Sequence, residues 1–270
     1  LFGLGARLAD FYSVDDGFEE TIENLKEKVK DDFSIALFPE GTRTTDRSLL
    51  RFYRGAFNLA QELELDIIPV MIHGTSDTCH KNSFLGQRRQ LHLTILKRIK
   101  FSDKSFGETG PERYKLIRNF YKENYASRQK EVETGNYFQM QAISNYSYKG
   151  YEILREIKKP LKQFTNFEDL TKVFQNEKST LIIDESKGVL TVMQNLVNSK
   201  KEITVLSSQT MLIQQCYNAL ETNIYLDSFD SITKEYEQVI YIGKGALTSD
   251  KIEKVCASTT KFISLELKEA

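Results

Sequence analysis

The sequence predicts an α/β protein built as two successive domains, on the strength of three observations. Short apolar runs such as Ile35-Ala36-Leu37-Phe38 stop abruptly at Pro39 and Gly41, as strands of a covered sheet do. Elsewhere apolar residues recur at helical spacing, for example Phe18, Ile22, Leu25 and Val29. In the second half, strand-like runs alternate with helical patterns, which implies a parallel, doubly wound sheet. A chain of 270 residues is long for one domain and sufficient for two with cores of their own.

Composition narrows the classes of partner. With 37 basic and 38 acidic residues the formal net charge is −1. Nothing pulls the chain toward nucleic acid or an anionic bilayer in general, so phosphate recognition has to come from local clusters. Cys79, Cys216 and Cys256 are far apart and odd in number, which points to reduced thiols in a reducing compartment. No run reaches the roughly 20 apolar residues of a membrane-spanning helix, and no signal-type apolar core follows a basic start. The chain begins at Leu1, and Leu1-Phe2-Gly3-Leu4-Gly5-Ala6 leads straight into a structured pattern, so a fragment of a larger protein is expected.

In order, Ala6–Phe11 reads as a short helix and Tyr12–Val14 as a brief strand. Gly17–Lys30 follows as a surface helix with a solvated Glu/Lys face. It feeds the strand expected to end at Phe38. Ligands in open α/β sheets gather beyond the carboxyl ends of strands, and here that position holds Glu40-Gly41-Thr42-Arg43-Thr44-Thr45-Asp46. Gly41 permits close backbone approach, Arg43 offers a planar fork suited to phosphate, and the threonines add neutral hydrogen bonds. The chemistry alone leaves two readings open, an anion site and a solvated turn with a Glu–Arg pair.

The hexapeptide Phe38-Pro39-Glu40-Gly41-Thr42-Arg43 resembles the signature block of the glycerolipid acyltransferases, a family typified by 1-acylglycerol-3-phosphate acyltransferase. That resemblance covers roughly Leu1 to Ile99. It implies a glycerolipid-acyltransferase-type mixed sheet with flanking helices in a domain spanning 1–135. It also implies that Glu40, Gly41 and Arg43, with Thr42 between them, hold the acceptor phosphate, and that Phe38 and Pro39 support the site. Leu50-Arg51-Phe52-Tyr53-Arg54-Gly55-Ala56-Phe57 is similar to the family's Phe-x-x-Gly-Ala run, which includes Gly55, and opens a helix with Ala56, Leu59, Ala60 and Leu63 inward. Where the family has a further phosphate-contacting Arg before the signature, this chain holds Asp16, and a carboxylate cannot do that job. Arg51 and Arg54, at a helix start where free N–H groups favour anions, either replace it or are ordinary surface arginines. Asp66 to Thr75 reads as another buried strand broken by Pro69; Ile68-Pro69-Val70 is similar to a family block that supports the site or the acyl donor.

The family's catalytic pair is a His with an Asp five positions later, before the signature. His73 and Asp77 are four apart and follow it, so His73 reads as a strand-end histidine. His80 beside Cys79 has no metal-ligand spacing, and no metal is expected. His92, in Leu91-His92-Leu93-Thr94-Ile95-Leu96, is placed on the polar face of a strand. No histidine precedes Glu40. No catalytic residue is therefore assigned in this chain, and the resemblance implies a base upstream of Leu1. Pro111–Val132 reads as a long amphipathic helix with Tyr114, Ile117, Phe120, Tyr121 and Tyr125 inward, either core packing or a membrane-interface helix. Residues 136–150, polar and aromatic without clear period, read as a linker.

In the second domain, 151–270, a helix at Tyr151–Phe164 precedes strands at Thr180–Ile183, Ile203–Leu206, Asn223–Leu226, Gln238–Ile242 and Phe262–Leu265. Helical patterns lie between them at Val189–Leu196 and Met211–Cys216. The order is similar to a class I methyltransferase domain, which implies a Rossmann-like fold. The motif is degenerate: Asp184-Glu185-Ser186-Lys187-Gly188 stands where a glycine-rich cofactor turn belongs, Ser207-Ser208 where an acid should hold ribose, and Gly243-Lys244-Gly245 is too short for a cofactor loop. S-adenosylmethionine and a packing role both stay open. Together the resemblances imply an O-acyltransferase that needs no cofactor. It would take acyl-CoA or acyl-carrier protein as donor and a lysophospholipid as acceptor, at the cytoplasmic face of a bacterial membrane surface. The alternatives are a non-catalytic lipid-phosphate-binding or scaffold module and a methyltransferase.

Overall fold

The computed structural model describes residues 18–44, 47–78, 89–175, 179–198, 202–216 and 223–267. The expected helix Ala6–Phe11, the strand Tyr12–Val14, and Asp16, Thr45, Asp46, Cys79 and His80 lie outside the described residues. The chain divides into two compact units. Among the described residues, one comprises 18–44, 48–73 and 92–126; the other comprises Arg47, 74–78, 89–91 and the residues from Ser127 on.

In the first unit, helix α1 (Phe18–Lys30) turns Ile22 and Leu25 onto Leu59 of helix α2 (Gly55–Glu62), with Ile35 and Leu63 against them. Strand β1 (Val70–His73) pairs antiparallel with β2 (His92–Ile95), in the register Val70↔Ile95 and Ile72↔Leu93. A single turn of helix, α3 (Thr75–Thr78), follows β1 in the chain and belongs to the second unit. Helix α4 (Gly110–Val132) buries Ile117 and Tyr125; its Tyr114 and Tyr121 hydroxyls donate to the carbonyls of Phe52 (2.9 Å) and Val70 (2.8 Å).

Two expectations fail here. Residues 33–38 form no strand; they run as irregular chain with Leu37 and Phe38 exposed. Apolar residues become a strand only where a neighbour offers an edge to hydrogen-bond, and none pairs with them among the described residues. In β2 the faces are reversed: Leu93 and Ile95 are 62% and 66% exposed, while His92 is half-buried with its ring 6.2 Å from that of the buried His73. Alternation separates the two faces of a strand without saying which one is covered.

In the second unit, helices α5 (Gly135–Asn145), α6 (Tyr151–Leu161) and α7 (Phe167–Phe174) precede a five-stranded sheet. Its strands are β3 (Thr180–Asp184), β4 (Ile203–Leu206), β5 (Ile224–Leu226), β6 (Tyr236–Gly243) and β7 (Cys256–Glu266). The order is β5-β4-β3-β6-β7 and every pairing is parallel. Helices α8 (Val189–Val197), α9 (Thr210–Cys216) and α10 (Ser249–Val255) connect them. The central strand β3 is buried along its length, as are β4 and most of β6, so the runs read as near-continuous apolar sequence.

The stretch read as a linker is α5. Its Thr134 side chain caps the start by accepting from the Tyr137 amide at 3.2 Å. Tyr137, Phe138, Gln141 and Ala142 are buried at helical spacing, a period masked in the sequence by one polar member. A Cβ on Gly135 would lie 2.3 Å from the Phe167 carbonyl carbon, so only glycine allows the α5 and α7 backbones to meet there. Among the described residues no helix is long and apolar enough to cross a membrane.

Candidate functional site

The resemblance places phosphate recognition on Phe38–Arg43, which the structure shows as a tight turn. The Gly41 amide donates to the Phe38 carbonyl at 3.0 Å, and Gly41 takes φ +66°, which favours glycine. The turn is fastened to the segment Leu50–Tyr53 at three places. The Leu50 amide donates to Glu40 Oε2 at 2.7 Å. Next to it, the Tyr53 amide donates to the Pro39 carbonyl, also at 2.7 Å. Finally, Gly41 faces the Tyr53 ring so closely that a Cβ would sit 3.1 Å from it.

Arg51 lies in sequence between Leu50 and Tyr53, whose amides bond the turn. Gly41, Thr42, Arg43, Arg51 and Arg54 are all exposed. Arg54 lies over the Tyr114 ring, 5.5 Å from its centroid, which holds its guanidinium on the surface of α4. Gly55 is the first residue of α2. Pro69 is buried and its carbonyl accepts from the Leu96 amide at 2.9 Å, so it supports the β1–β2 pair and is not part of the turn.

Glu40 is half-buried. Burial raises its carboxyl above the ordinary value of 4.5, and the Leu50 amide works in the opposite direction. Its charge is felt by Tyr121, whose hydroxyl is pushed up to about 12 by burial first and by Glu40 second. Sequence reading missed Leu50, Tyr53 and Tyr121 as members of this site. Leu50 takes part through its amide alone, which no side-chain pattern reports; Tyr53 sits inside the Phe-x-x-Gly-Ala run and was legible as a neighbour of Arg54.

His73 ends β1 fully buried near Tyr125 and His92. Asp77 belongs to the second unit, where it meets other partners. Its carboxylate accepts from the Tyr137 hydroxyl and from Arg47 Nη1 at 3.5 Å. Arg47 Nε also donates to Glu133 at 3.0 Å, and Nη2 to the Leu196 carbonyl.

In the second unit, the carboxyl ends of the neighbouring strands β3 and β6 are where a doubly wound sheet would take a nucleotide-type cofactor. Asp184 is wholly buried, and its carboxylate accepts from the Ser186 amide (2.8 Å), the Ser186 hydroxyl (2.6 Å) and the Thr191 hydroxyl. The Tyr241 hydroxyl donates to Glu185 Oε2 at 2.8 Å, and a Cβ on Gly243 would lie 2.3 Å from that hydroxyl. Gly188 is covered in the same way by Ile213, 2.3 Å from where a Cβ would be. Gly188 and Gly243, which a cofactor turn would leave open, are packed under side chains of this chain, whereas a Cβ on Gly245 would meet nothing within 4 Å.

Comparison with known proteins points first to a class. Residues 1–73 match the family model described as Acyltransferase. The relatives are 1-acyl-sn-glycerol-3-phosphate acyltransferases. That of Saccharomyces cerevisiae is 35% identical over 86 residues, 31% of this chain and 27% of the relative. The Cocos nucifera protein is 32% identical over 108 residues, 38% and 35% of the two chains. The Limnanthes alba protein is 29% identical over 119 residues, 43% and 42%. The chain thus spans less than half the length of these curated relatives. No solved structure matches.

Proposed function

We propose that the first part of this chain belongs to an O-acyltransferase that acts on a lysophospholipid or related glycerol-phosphate acceptor. In such a reaction the acceptor hydroxyl oxygen attacks the thioester carbonyl of acyl-CoA or acyl-carrier protein. An ester forms, the C–S bond breaks, and the hydroxyl proton passes by way of a base to the leaving thiol. Gly41, Thr42 and Arg43, assisted by Arg51 or Arg54, would hold the acceptor phosphate. The supporting observation is the fastening of the signature turn to Leu50–Tyr53, the segment to which Arg51 belongs. Work on such lipids is at a membrane surface, here the cytoplasmic face. The second unit is read as Rossmann-like and used for packing, in keeping with its strand order and the side chains that cover Gly188 and Gly243.

Arg43→Ala is expected to weaken lysophosphatidate binding by about 10- to 100-fold, the loss of a charge-assisted hydrogen bond of ~1.5–3 kcal/mol. Unchanged affinity in calorimetry would remove Arg43 from the site. A second reading, phosphate binding without catalysis, is favoured by the lack of the family's His–Asp pair ahead of the signature within residues 1–40. Turnover of lysophosphatidate with acyl-CoA by the full natural protein, with whatever precedes Leu1 included, separates the two: ester formation supports the enzyme, and binding without turnover supports the module.

A further inference from the structure

We propose that Glu40 is a positioning residue, the clasp that holds the signature turn against Leu50–Tyr53 by accepting the Leu50 amide, and that it does not touch the phosphate. This rests on the phosphate site proposed above and reassigns one of its members. Glu40 Oε2 meets the Leu50 amide at 2.7 Å, and the neighbouring Pro39 carbonyl meets the Tyr53 amide at the same distance. Of the two hydrogen bonds, the Glu40 bond alone depends on a side chain. It links residues ten apart in sequence, so it restrains the turn in a way that local bonds cannot.

The chemistry favours this assignment. An ionised carboxylate has acceptors only, and a phosphate presents acceptors and negative charge, so direct contact between them is repulsive unless a proton is shared. Used as an acceptor for a backbone N–H, the same group forms a strong charge-assisted bond. Glu40 is half-buried and its carboxylate is engaged by the Leu50 amide. What it contributes to an anion is the fixed placement of Gly41, Thr42, Arg43 and Arg51.

The conservative variant separates clasp from contact, because glutamine keeps an acceptor oxygen and loses the charge. In the full chain, Glu40→Gln is expected to keep the Leu50 amide protected from hydrogen exchange and to bind glycerol 3-phosphate at least as tightly as the parent. Glu40→Ala is expected to expose the Leu50 amide and weaken that binding, each at least tenfold, while the Ile117 amide of α4 stays protected and reports an intact first unit. Two results overturn the proposal: loss of binding in Glu40→Gln with Leu50 still protected, or parental protection of Leu50 in Glu40→Ala. If the parent itself binds no glycerol 3-phosphate, the phosphate reading fails separately. The clasp then stands or falls on the Leu50 amide in Glu40→Ala alone.

Discussion

Asp184 and Glu40 are both carboxylates removed from water, yet they sit in different hydrogen-bond settings. Asp184 is entirely enclosed, and although Ser186 and Thr191 donate to it, desolvation dominates and raises its pKa above the ordinary 3.8. A carboxyl whose folded pKa lies above its unfolded one binds more protons in the native state. Its ionisation therefore opposes folding, and stability falls as pH rises from the unfolded value through the raised one. Asp184→Asn keeps an acceptor for Ser186 and Thr191 and has no such charge. Its urea midpoint, measured from about pH 3 to 7, is expected to show a shallower fall than the parent's; equal slopes would show that Asp184 does not titrate in that window. At this scale the sequence was informative about chemistry and silent about partners. Asp184 was legible as an acid at a strand end, and Glu40 as part of a signature, but neither the enclosure of the one nor the Leu50 amide on the other has a mark in the sequence.

Among the elements, α5 depends on side chains far from it in sequence. Its Phe138 ring lies under the Arg47 guanidinium, 5.5 Å from centroid to Cζ, and Tyr137 donates to Asp77. Arg47 is only 5% exposed and bonds Asp77, Glu133 and the Leu196 carbonyl together. Removing one member of a buried ionic cluster leaves the others uncompensated. Arg47→Ala is expected to destabilise the second unit by about 3–5 kcal/mol, read as a lowered urea midpoint; a change below about 1 kcal/mol would show the cluster to be solvated. The same elements show which patterns were readable. The five parallel strands and α4 were legible because long apolar stripes survive inspection. Residues 33–38 were misread because strand formation needs a partner edge, and α5 because Gln141 broke an apolar period that burial restores.

Across the whole molecule the two units are unequal in what they bury. The second has a continuous core around β3, β4 and β6, with Leu181, Ile182, Val205, Val239, Ile240 and Ile242 fully enclosed. In the first, β1 and β2 form a two-stranded sheet with Val70, Leu93 and Ile95 exposed on one face, and such ribbons have little stability of their own. Hydrogen exchange is expected to be slowest at the β3 and β6 amides and faster by at least about 100-fold at β1 and β2, the gap between global and local opening. Equal protection in both sheets would show that one cooperative transition governs the chain.

By itself the sequence determined the α/β class, the positions of the parallel strands and the location of the signature turn, because these follow from periodicity and from a run of consecutive residues of mixed chemistry. Tertiary structure alone decided that Arg47 and 74–78 join the second unit, that the outer face of β2 is its apolar one, and that the Glu40 carboxylate meets a backbone amide. The physical reason is common to all three: periodicity and motif are properties of neighbours in the chain, whereas burial and hydrogen-bond partnership are set by residues brought together only when the chain folds.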